Sequence, residues 1–218
     1  MRHQSLLLHV LRRLAVVLCE KYGLAARRAV TEAPLRRAAV MTSSERPTHW
    51  NIVVTCKRGG QRAVRRALHP LIRLRSSGFR NVLVGRVDDV DGFLVAVAEV
   101  LARRPRLESA LGKLLPVERT FLVDVPRFHE QLAAEAAGLV ERLVGQSFHV
   151  RVERRGHKGV INTHAAEQAL GEALYSDLQA RGHKPTVTFT DPDVVVAVEL
   201  IGEVAGLELV TRDMRERF

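Results

Sequence analysis

Apolar positions along this chain follow two periods, and the places where the period changes mark its elements. Near the start, Leu6, Leu7, Val10, Leu11, Leu14, Val17 and Leu18 recur at helical spacing, with Arg12 and Arg13 off that stripe. Pro34 and the run TSSERPTH, residues 42–49, break the pattern and predict a linker. Trp50 to Cys56 (WNIVVTC) then reads as a compact strand, KRGG as a strand-to-helix turn, and QRAVRRALHPLIRLR as a helix that Pro70 kinks or interrupts. Phe79 to Val87 is a second strand. Asp88 or Asp89 is placed to cap a helix running through Val100. RLESALGKLLP predicts a further short helix and VERTFLVDV a strand, with one antiparallel strand of the sheet missing or supplied by neighbouring sequence.

Pro126 opens a second stretch. Leu132, Ala136, Leu139, Val140 and Leu143 form a helical stripe that Gly145 ends. SFHVRVERRG alternates, with Phe148, Val150 and Val152 on one face and His149, Arg151 and Glu153 on the other. A helix follows with Thr163 as its expected N-cap, closed by Gly182. KPTVTFT, DVVVAVEL and LELVTR complete the strands. The turn Thr190-Asp191-Pro192-Asp193 separates the first two, and Val194 to Val198 is apolar on successive residues, as a strand covered on both faces would be.

Composition narrows the class. With 218 residues, 46% apolar and 27% charged, the chain is long enough for a large core and is not a disordered tail. Aromatics at 5% argue for aliphatic cores and against a surface built on stacking platforms. Cys19 and Cys56 are the only cysteines, so neither a disulfide scaffold nor a CxxC zinc site is expected. SLLLHVLRRLAVVL is too short and too charged to span a membrane. The first 48 residues read as a basic extension or as a cleavable targeting peptide.

Net charge is +10, unevenly spread. Residues 1–48 hold 9 Lys/Arg against 3 Asp/Glu, residues 49–119 hold 14 against 6, and residues 120–218 hold 11 against 15. The long-range attraction for an anionic partner belongs to the first half.

Catalytic signatures are missing. No GxGxxG follows a strand, and no P-loop or kinase set is present. KRGG is either a phosphate nest or a turn with exposed charges. His157 and His164, with Asp191 and Asp193, are either a dispersed metal site or ordinary hydrogen-bonding groups. Cys56 beside Lys57 and Arg58 is either an activated thiol or a buried one. The candidate phosphate contacts are Lys57, Arg58, Arg62 and Arg65 from the first unit. Arg151, Arg154, Arg155 and Lys158, delivered into a helix N-terminus, are those of the second.

The order of pieces over residues 126–218, with Asp191-Pro192-Asp193 before VVVAVEL and arginines at 151, 154 and 155, resembles the THUMP domain, an RNA-binding module of tRNA-modifying systems. Residues 50–125 resemble the ferredoxin-like domain that commonly precedes it and helps it grip the tRNA acceptor end. The resemblance implies an α+β chain: a basic, partly helical extension over 1–48, a ferredoxin-like domain over 49–125 and a THUMP-like α/β domain with a mixed sheet over 126–218.

With the sequence stopping at Phe218, it is most similar to stand-alone members such as the adaptor supporting N4-acetylation of cytidine in tRNA. That similarity implies a cytoplasmic tRNA-binding adaptor without catalytic residues, metal or cofactor. Its partners are tRNA and a separate modifying enzyme, an acetyltransferase being the candidate. The acidic balance of residues 120–218 departs from what a tRNA binder should show. Two other readings stay open: an RNA-modifying component with its own transferase activity, and a protein-interaction module with a basic surface.

Overall fold

The computed structural model describes residues 50–217. The helix and linker expected before Trp50, and Cys19, lie outside them. Two sheets pack face to face, and each carries helices on its outer side.

The first sheet is built from β1 (Ile52–Cys56), β2 (Arg75–Ser76), β3 (Val82–Gly85) and β4 (Leu111–Pro116) in the order β2-β3-β1-β4, every neighbour antiparallel. Helix α1 (Gln61–Leu68) lies between β1 and β2, and α2 (Val90–Arg103) between β3 and β4. The strand missing from the sequence pattern is therefore β2, whose two residues are too few to show an alternation. Leu68 is the last residue of α1, since Pro70 cannot continue a helix. Asp89 caps α2, its carboxylate accepting from the Gly92 amide at 2.9 Å.

The helix expected over RLESALGKLLP is instead a single tight turn, Pro105–Leu107, followed by β4. Leu111, Leu114 and Leu115 fit a helical stripe, but pairing with β1 wins: Leu111 and Leu114 go to the helix side of the sheet, Leu115 to the other. Gly112 lets the strands approach, because a Cβ there would meet the Thr55 carbonyl at 2.9 Å.

At Val117 the chain changes sheets. β5 (Arg119–Leu122), the centre of the expected VERTFLVDV strand, pairs with β9 (Val204–Thr211) of the second sheet and not with the first. That sheet also holds β6 (Ser147–Arg155), β7 (Thr186–Val187) and β8 (Val194–Ile201), in the order β5-β9-β8-β6-β7. It is mixed: β6 runs parallel to β7 and β8, while β9 is antiparallel to both β8 and β5. Helix α3 (Phe128–Ala136), a 3-10 stretch (Ala137–Leu143) and α4 (Thr163–Ala180) cover its outer face, and α5 (Arg212–Arg217) follows β9. Asn162, not Thr163, caps α4, its side chain accepting from the Ala165 amide.

Three apolar clusters separate the four layers. Val54, Val64, Leu68, Phe93, Val97 and Leu114 fill the space under α1 and α2. Phe148, Val150, Val152, Leu170, Val196 and Leu207 fill the space under α3 and α4. Between the sheets, Trp50, Val53, Val84 and Leu115 meet Ala197, Ile201 and Val204. β8 thus contributes successive residues to opposite clusters, the two-sided burial that its apolar run predicts.

A candidate nucleic-acid interface

Helix α1 buries Val64, Ala67 and Leu68 and turns Arg62, Arg65 and Arg66 to solvent. With His69 and Pro70 these arginines line an open hollow of about 450 Å³. Arg62 and Arg66 are one helical turn apart, so the cluster repels itself and costs the helix a few tenths of a kcal/mol per pair. Among the described residues, none of Arg58, Arg62, Arg65 and Arg66 is paired with a carboxylate. Lys57 donates to the Glu108 carbonyl at 3.1 Å, which leaves its charge uncompensated. The turn before α1 is held by the Lys57 amide on the Ala110 carbonyl at 2.8 Å. Gly60 sits so close to that carbonyl that no side chain fits.

The basic run on β6 divides by what each side chain meets. Arg151 is exposed, 3.7 Å from Glu167. Arg154 donates to the Gly156 carbonyl at 2.6 Å, and its Nε is buried without a partner among the described residues. Arg155 points between the sheets, its guanidinium paired with Glu199 and with Glu153 at 2.9 Å and reaching Thr55 Oγ1 at 3.4 Å. Lys113 of β4 joins the same group, 2.5 Å from Glu199 and 3.0 Å from Glu153. Glu199 is almost wholly buried. Arg155 therefore clamps the two sheets to each other, a task that removes it from the open surface.

That clamp also fixes where the basic turns emerge. Thr55 lies two residues before Lys57, and Arg155 three before Lys158, so both turns leave the sheets close to one side-chain contact. The loop bearing Lys158 is anchored: Gly202 donates to the Arg155 carbonyl at 2.7 Å, and a His157 ring nitrogen lies 2.9 Å from the Gly202 carbonyl. Lys158 itself is exposed. The structure thus brings Lys57, Arg58 and Lys158 to neighbouring strand ends and leaves Arg151 further back along β6. Arg66 and His69 join the first cluster. Their helical spacing from Arg62 and Arg65 was the available signal.

The remaining candidates fall into structural roles. Cys56 is buried, and burial pushes its thiol up more than nearby Arg65 draws it down. Asp193 accepts from the Ser147 amide at 2.9 Å and hydroxyl at 2.6 Å, tying β8 to β6. Those bonds, with Arg212 and Arg215 behind them, hold its carboxyl below the usual range. Asp191, at φ 45°, pairs with Arg212 at 3.0 Å and Arg215 at 3.4 Å.

A helix-covered, two-sheet α+β architecture with basic turns at adjoining strand ends is the class these features define. Residues 129–210 match the THUMP domain family, and the chain carries a THUMP domain there. Comparison with curated proteins finds no match. Among solved structures, TrmN from Thermus thermophilus is similar at TM-score 0.51 and 20% identity, over 73% of this chain and 44% of that one. PH1313 from Pyrococcus horikoshii is similar at TM-score 0.50 and 11% identity, over 74% and 54%. These likenesses are of fold, and the chain spans about half the length of each protein.

Proposed function

We propose that this chain binds tRNA through backbone contacts spread over both sheets and presents it to a separate modifying enzyme. The observation that carries the reading is the uncompensated cation cluster of α1, whose preceding turn leaves β1 just after the Thr55–Arg155 contact, as the loop of Lys158 leaves β6 just after the same contact. Self-repelling arginines are stabilised by an anionic partner, and a THUMP domain in the same chain makes RNA the partner of choice. The β-α-β-β-α-β order and the strand order β2-β3-β1-β4 support a ferredoxin-like domain over residues 49–125. In this reading a THUMP domain occupies residues 126–218, and Arg119–Leu122 is the strand linking the two. The basic extension over 1–48 adds to the attraction. The partner is an acetyltransferase acting on cytidine, in the cytoplasm, and chemistry resides with it. Among the described residues no helix is long and apolar enough to cross a membrane.

Filter binding of tRNA at increasing salt tests the reading. Six or more phosphate contacts predict that affinity falls by roughly a thousandfold between about 50 and about 200 mM salt. A nearly flat response removes the phosphate-contact account. Acetylation of tRNA by the purified chain, given only a cofactor, replaces the adaptor with an enzyme.

A further inference from the structure

Phe189 is the most exposed of the large hydrophobic side chains among the described residues, at 81%. It stands on the segment between β7 and β8, and its ring stacks on His149 with centroids 5.4 Å apart and planes inclined by 29°. This is a held position. The Thr188 amide donates to the Phe148 carbonyl at 3.1 Å, and His149 Nδ1 lies 3.0 Å from the Thr188 carbonyl. On the far side, Pro192 is buried and Arg215 donates to its carbonyl at 2.6 Å. Both ends of the segment are anchored, and the ring is displayed to water against His149.

The surroundings of the ring decide what it can receive. One ring face lies against His149, and most of the rest is open. Thr188, Thr190 and Asp191 flank it, so Val187 is its only apolar neighbour within two residues along the chain. A protein surface would gain little area there. A nucleobase needs only a π-face and a nearby cation. The cation is present: Arg151 follows His149 by two residues on the same face of β6, with a side chain 65% exposed.

We propose that Phe189, backed by His149, is a stacking site for one unpaired base of the bound RNA, with Arg151 meeting the adjoining phosphate. This rests on the RNA-binding reading and adds to it a preference for single-stranded over paired nucleotides. It also reverses the inference from composition: scarce aromatics leave room for one stacking position.

The test uses the full chain and hairpin RNAs sharing one duplex, either blunt or carrying a short unpaired extension at one end or the other. The expected result is tighter binding of an extended hairpin, lost about tenfold in F189A, with blunt-hairpin affinity unchanged. F189W should keep the preference, and its exposed indole should be quenched by the extended RNA alone, since Trp50 is 2% exposed and stays silent. Equal thermal midpoints for the variants establish that both fold. If F189A binds the extended RNA as the parent does, or loses affinity equally for both RNAs, the stacking site is overturned while RNA binding stands. If the unsubstituted chain binds neither RNA, the RNA reading falls and the stacking site with it.

Discussion

Burial alone would push the Glu153 carboxyl above its ordinary value of 4.5, but Lys113 and Arg155 outweigh it and hold the group lower. A carboxyl held lower in the folded than in the unfolded chain adds stability above its unfolded value. That stability drains away as pH falls below 4.5 and is gone once the folded carboxyl is protonated. The thermal midpoint should therefore drop between about pH 6 and about pH 3, and drop less in E153Q. Parallel curves for the two would show that Glu153 has no part in acid unfolding. At this scale the sequence reveals which face a side chain takes but not what it meets. Alternation puts Arg151 and Arg155 on one side of β6; only the packing of β4 and β8 makes the second a clamp and leaves the first in water.

The clamp unites four strands. Glu199 of β8 takes Arg155 of β6 and Lys113 of β4, and Arg155 reaches Thr55 of β1. Removing one partner from a buried ionic group costs about 3 kcal/mol. E199A should lose that much in a urea titration, and a loss below about 1 kcal/mol would show the site relaxing around the deletion. The sequence legibly marks elements that are long and strongly periodic, such as α2, α4 and β8. It misleads where tertiary pairing overrides a local pattern. β4 carries leucines at helical spacing yet pairs with β1, and β2 is too short to have a pattern at all. The strand at Arg119–Leu122 is visible as a strand, but no local property says which of two stacked sheets it joins.

Over the whole molecule, charge and shape divide the work. The half with excess acid carries the THUMP domain, and the more basic half carries the α1 cluster. If both halves touch phosphates, the double variants R62A/R66A and R151A/K158A should each lower the salt-dependence slope of tRNA binding by about two. A slope unchanged by either variant would remove that patch from the interface.

The crossing at Val117 has a consequence in time. β5 is made early, but its only partner strand, β9, is the last of the strands among the described residues. At about 5–20 residues per second of synthesis, β5 waits several seconds on the ribosome before its partner exists. In that interval the first sheet can close, since all four of its strands precede Val117. The second cannot, so the nascent chain acquires its α1 cation cluster before it has the sheet beside it. The arginines of α1 therefore stand in solvent while the residues that match the THUMP family are still emerging.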